Sequence, residues 1–175
     1  FREGDQVVIT SGAQQAIETT AKILCNEGDV IICEDPAFVG SLNAFRSYGV
    51  RLAGVPMDDD GMIPARLEET LKANPTTKFI YTIPNFQNPT GRTTTLARRR
   101  EILALAEKYG VYILEDNPYG ALRFAGEDVP SIKELDAKGS VLYCGTFSKT
   151  LAPGLRVGYL LGPSEVVAKA VVGLQ

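Results

Sequence analysis

With 175 residues, 45% of them hydrophobic and 22% charged, the chain has enough apolar material for one globular domain. A formal net charge of −3 offers no basic surface for nucleic acid or an anionic membrane, although a compact positive site for one anion stays compatible with it. The absence of histidine excludes Ser-His-Asp and Cys-His catalysis, and every His-ligated metal, within this chain.

In chain order, short β-branched runs alternate with helical patterns, which predicts an α/β layered domain. The predicted strands are Val7–Thr10, Val30–Glu34, Arg51–Pro56, Lys78–Ile83, Tyr112–Glu115, Val141–Gly145 and Gly158–Leu161. The predicted helices are Ala13–Asn26, Phe38–Tyr48, Ala65–Ala73, Leu96–Tyr109 and Ser164 to the end. Gly49, Gly110 and Gly139 follow apolar segments where helix C-caps are expected. Between Gly145 and Gly158 there is too little chain for a helical crossover, so the last strand is expected to run antiparallel. The expected fold is therefore a seven-stranded, mostly parallel sheet with one antiparallel strand and helices on both faces.

Cys25, Cys33 and Cys144 form no CxxC pair, and two of them lie in apolar runs. They read as buried free thiols in a reducing, cytoplasmic setting. No signal peptide or long apolar span is present. The chain starts with Phe1 rather than Met and ends in the apolar stretch after Val166, so it is expected to be a piece of a longer protein.

In open parallel sheets ligands bind beyond the carboxyl ends of the strands, and the unusual residues gather there. After the first strand, Ser11-Gly12-Ala13-Gln14 opens a helix whose free N–H groups suit a phosphate, although a plain Ser11 N-cap explains the stretch equally. Phe38 follows the second strand, where core packing or stacking on a planar ring both fit. Asn88-Pro89-Thr90-Gly91 is a turn by composition, which leaves Asn88 unforced. Asp116 ends a buried strand and needs a cation or hydrogen-bond donors, unless an Asx-turn ahead of Pro118 accounts for it. Lys149 stands at the mouth of an apolar strand, where poor solvation favours a nucleophilic amine. Thr146 and Ser148 share one side of an extended segment, and Arg156 lies close enough along the loop to reach a phosphate. A solvated lysine and a surface arginine are the alternative.

Taken together, Ser-Gly-Ala-Gln-Gln, Asn-Pro-Thr-Gly, Asp-x-x-Tyr and Ser-Lys followed by Gly-Leu-Arg resemble the large domain of the class I/II aminotransferase superfamily, over Val7 to about Val166. The motifs look most like the branch holding 2-aminoadipate and kynurenine-type aminotransferases and the aminotransferase-like domains of GntR/MocR-type regulators. The resemblance implies pyridoxal 5′-phosphate as cofactor, with Lys149 as the lysine that carries it and then moves the substrate proton. It implies Asp116 for the pyridine nitrogen, Tyr119 and Asn88 for the phenolic oxygen, and Phe38 for the ring face. Ala13, Gln14, Ser148 and Arg156, with Thr146, would hold the phosphate, Ala13 by its backbone alone. It further implies amino acid and 2-oxo acid substrates and a homodimer. Residues 1–175 would be the cofactor-binding large domain, without the N-terminal arm and C-terminal small domain. Other chemistries on the same cofactor (β-lyase, decarboxylase), a regulator's effector-sensing domain and a plain nucleotide-binding domain are the alternatives, the last disfavoured by the absence of GxGxxG and GxxxxGK[ST].

Overall fold

The computed structural model describes residues 2–175. The chain forms β1 (Asp5–Ser11), α1 (Gly12–Leu24), β2 (Val30–Asp35), α2 (Val39–Arg46), β3 (Arg51–Asp58), β4 (Gly61–Met62), α3 (Pro64–Ala73) and β5 (Thr77–Thr82). It continues with α4 (Leu96–Tyr109), β6 (Tyr112–Asp116), α5 (Ile132–Leu135), β7 (Val141–Thr146), β8 (Val157–Pro163) and α6 (Ser164–Gly173). One sheet contains every strand, in the order β1-β8-β7-β6-β5-β2-β3-β4.

The alternation of side chains along the strands builds two cores. On β2, Ile31 and Cys33 pack with Ile17, Phe45 and Val166 of α1, α2 and α6. Val30 and Ile32, one residue out of phase, pack with Leu67, Ile102 and Ala106 of α3 and α4. Helices therefore cover both faces, and the central strands bury both of theirs, which is why they read as unbroken apolar runs. Cys33 and Cys144 are buried free thiols, and Cys25 is half-buried.

The strand β8 is antiparallel to both neighbours, β1 and β7, whereas β2-β3, β2-β5, β5-β6 and β6-β7 are parallel. The expected reversal of the last strand is observed. The expected count of seven is corrected to eight, because β3 runs on to Asp58 and turns back into the two-residue β4, a second reversed strand. Two residues are too short to display alternation. The helix Ile132–Leu135 was not anticipated either. It is one turn long and is held by a capping box between Ser131 and Glu134 and by Glu115, which accepts the Ile132 and Lys133 N–H groups at 3.0 and 2.8 Å. Of the glycines expected to cap helices, Gly110 does so in the left-handed region, while Gly49 and Gly139 take positive φ beyond their helix ends.

Candidate functional site

Because β8 is antiparallel to both neighbours, β1 and β7 point the same way. The carboxyl ends of β1, β2, β5, β6 and β7 thus share one edge with the start of β8. A cavity of about 310 Å³ opens there. All ten residues singled out from the sequence line it: Ala13, Gln14, Phe38, Asn88, Asp116, Tyr119, Thr146, Ser148, Lys149 and Arg156, joined by Ile17, Ile83 and Pro118. A more open apolar cavity of about 560 Å³ lies alongside and shares Asn88 and Tyr119.

One end of the cavity is built for an anion. Ser11 makes no side-chain cap bond to α1, so the first N–H groups of that helix keep their capacity for a ligand. Arg156, in the left-handed region at φ 51°, directs its guanidinium to the helix start and donates to the Ser11 carbonyl at 3.3 Å. Two glycines permit this. A Cβ on Gly12 would lie 2.5 Å from Arg156 Nη2, and a Cβ on Gly158 would lie 2.5 Å from the carbonyl carbon of Gly12. Ser148 adds a buried hydroxyl with no partner. Thr146 already donates to the Val157 carbonyl at 3.3 Å and accepts the Ser148 N–H at 3.1 Å, so its hydroxyl braces the loop.

The deep end holds Asp116, only 4% exposed. Tyr81 donates to its Oδ2 at 2.8 Å, and Ser41 is in turn hydrogen-bonded to the Tyr81 hydroxyl at 2.8 Å. Oδ1 is buried without a partner. Burial raises the carboxyl to about 6, with the Tyr81 hydrogen bond opposing the rise. Above that pH the cavity contains an unpaired carboxylate oxygen, a site for a cationic N–H.

Phe38, Asn88 and Tyr119 come from three loops. Phe38 is extended and half-buried immediately before α2, packed on the α1-side core. The loops carrying Asn88 and Tyr119 are tied together by Asn85, which donates to Asn117 Oδ1 at 2.9 Å, and Asn117 also accepts the Gly120 N–H at 3.1 Å. Lys149 corrects an expectation. It is exposed, not withdrawn from water at the strand mouth as expected. Tyr81, Asn85, Asn117 and Ile83 are participants the sequence reading missed. Polar or aromatic character at the ends of apolar strands was the one signal for Tyr81, Asn85 and Asn117, and Ile83, an aliphatic residue in an apolar run, had none.

A mostly parallel α/β sheet that brings a helix start, an arginine, a buried carboxylate and a lysine to one edge defines the class of protein as an α/β domain with a polar cavity at its strand ends. The family model described as aminotransferase class I and II matches residues 1–174, and the chain belongs to that family. It is 42% identical to aromatic-amino-acid aminotransferase 1 of Thermococcus litoralis over 97% of this chain and 42% of that protein. Identity to the uncharacterized HTH-type transcriptional regulator YisV of Bacillus subtilis is 41%, covering 93% of this chain and 34% of the regulator. The crystal structure of Pyrococcus horikoshii kynurenine aminotransferase, in complex with PMP and with KYN and KYA as substrates and products, superimposes with a TM-score of 0.92 at 40% identity, over 98% of this chain and 44% of that one. The chain spans less than half the length of these relatives. Among the described residues no helix is long and apolar enough to cross a membrane, and no cluster of three or more His, Cys, Asp or Glu suits a metal ion.

Proposed function

We propose that the protein containing this chain is a pyridoxal 5′-phosphate-dependent aminotransferase that moves an α-amino group between an amino acid and a 2-oxo acid. Residues 1–175 are its cofactor-binding large domain. The observation that carries this reading is the buried, unpartnered Oδ1 of Asp116 in the same cavity as Lys149 and the Arg156–Ser11 anion seat. The donor set fits the cofactor at both ends: a carboxylate for a protonated ring nitrogen, and a guanidinium, a free hydroxyl and a helix start for a phosphate. Bound there, the cofactor supplies an electron sink for the substrate α-carbon.

The residues of this chain do the rest. Asp116 would keep a proton on the ring nitrogen, and Tyr81, which donates to it, keeps Asp116 oriented. Arg156, Ser148 and the N–H groups of Ala13 and Gln14 would hold the phosphate by charge-assisted hydrogen bonds. Phe38 would lie against the ring, and Asn88 and Tyr119 would hold the phenolic oxygen. Lys149 would hold the cofactor through its ε-amine and would serve as the base for the substrate α-proton. The short share of the relatives' length supports further parts outside residues 1–175, and we place the working enzyme in the cytoplasm as a homodimer.

Borohydride reduction of the full-length protein, followed by peptide mapping, tests the reading. The pyridoxyl group is expected on Lys149, and its appearance on any other lysine overturns the assignment. The likeness to the HTH-type regulator favours a second reading, in which the same site senses an effector. A DNA-binding segment ahead of this chain, with ligand binding but no turnover, would select it.

A further inference from the structure

Two loops of the cavity are fastened to one buried carboxylate that the chemistry above does not use. Glu34, at the end of β2, is 2% exposed. Its Oε1 accepts a short hydrogen bond from the Thr82 hydroxyl, the Ile83 N–H reaches both oxygens at 3.3 Å, and Oε2 accepts from Gln87 Nε2 at 3.0 Å. Gln87 Nε2 also donates to the Pro36 carbonyl at 2.8 Å. At the other end of that amide, Gln87 Oε1 accepts the Thr90 N–H at 2.9 Å and its hydroxyl at 2.7 Å. Phe38 lies two residues after Pro36, and Asn88 lies between Gln87 and Thr90. The loop that presents a ring face and the loop that presents Asn88 therefore meet at a single buried carboxylate–amide pair.

The donor pattern selects a carboxylate at position 34. The Ile83 N–H and the Gln87 amide hydrogens can only donate. Because Ile83 contacts both Glu34 oxygens, an amide in this place sets one N–H against another in either orientation. The titratable groups that face Glu34 are Asp116 of β6 and Tyr81 of β5, with Cys33 its neighbour on β2. Burial raises Glu34 to about 7, Asp116 adds to the rise, and the donors named above oppose it.

We propose that Glu34 is a positioning residue that acts through Gln87, holding Phe38 and Asn88 in the geometry that receives the cofactor ring. This rests on the function proposed above, but the link between the two loops is measurable without cofactor.

The experiment compares the full-length protein with Glu34→Gln. In the cofactor-free protein, hydrogen–deuterium exchange of Glu34→Gln should rise in peptides covering residues 36–40 and 84–92 and stay at the wild-type level in residues 112–116 and 141–146. Pyridoxal phosphate affinity should fall by roughly tenfold. If Glu34→Gln does not fold, Thr90→Val tests the same link from its far end, with raised exchange confined to residues 84–92. Unchanged exchange in the two loops, a rise throughout the domain, or loosened loops with unaltered cofactor affinity would each overturn the proposal. A failure of the functional reading is recognised separately, by a wild-type protein that takes up no pyridoxal phosphate.

Discussion

The Tyr81 hydroxyl donates to Oδ2 of Asp116 at 2.8 Å and leaves Oδ1 of the same carboxylate buried and free. The bond opposes the burial that raises Asp116 to about 6. Removing it in Tyr81→Phe pushes Asp116 higher still, so a larger fraction is neutral at pH 7 and the ring nitrogen loses its anionic partner. We expect Tyr81→Phe to lower kcat most at and below neutral pH, and to approach wild type as rising pH ionises Asp116 again. A pH–rate profile of the two proteins checks this, and a constant ratio across pH would exclude the mechanism. Folding stability should drop by about 1–2 kcal/mol from the lost buried hydrogen bond.

Stability itself should depend on pH in a definite direction. Burial raises Glu34 and Glu115 to about 7 and Asp116 to about 6, from ordinary values of 4.5, 4.5 and 3.8. A carboxyl raised on folding stabilises the native state below its unfolded value, and that contribution disappears as pH rises through the folded value. Each group represents on the order of 1–3 kcal/mol. Asp58, Glu68 and Asp136 are lowered instead, so their losses fall below about pH 4, outside this window. The urea midpoint of the cofactor-free protein is expected to be higher at pH 5 than at pH 8, with a smaller difference in Glu115→Gln.

Gly158→Ala should damage fold and site together. The new Cβ would lie 2.5 Å from the Gly12 carbonyl carbon and 2.7 Å from the Ala13 nitrogen, both backbone atoms that cannot swing aside. The start of α1 must retreat from β8, which costs about 1–3 kcal/mol as overpacking does elsewhere. Cofactor affinity should fall along with stability, and phosphate alone should bind more weakly. Unfolding curves and phosphate titration measure the two effects.

Arg99 offers a separate test of how the Asn88 loop is anchored. Its side chain is fully buried and donates to the carbonyls of Thr94, Val129, Pro130 and Pro84 and to Asn85 Oδ1, at 2.7–3.2 Å. Lysine has three donors in a rotating tip rather than five in a planar fork. Arg99→Lys should therefore leave at least two of these acceptors unsatisfied, at about 1–3 kcal/mol each. Urea unfolding should show a loss of this size, and exchange should increase in residues 84–86 and 129–130.

Much of this molecule was legible in its residues because the signals were local. The α4 boundaries follow from Thr95, which accepts the Arg98 N–H, and from Gly110 in the left-handed region. The reversal of β8 follows from a loop too short to cross over. The candidate site was legible in two steps: strand-end residues of an open parallel sheet share one edge, and the resemblance singled out, there and on the loop to Arg156, the ten residues that line the cavity.

What tertiary structure alone decided was which polar side chains meet across that edge. Glu34 and Gln87, 53 residues apart, and Tyr81 and Asp116, 35 apart, carry no local pattern that announces a pairing. Each lies in or beside an apolar strand where sequence shows only an isolated polar group. Its partner is set by sheet order and register, since β5 is placed between β2 and β6. The solvation of Lys149 was decided in the same way. Residue type makes an amine available, but whether water reaches it depends on what packs over the loop, and in residues 2–175 Lys149 is exposed.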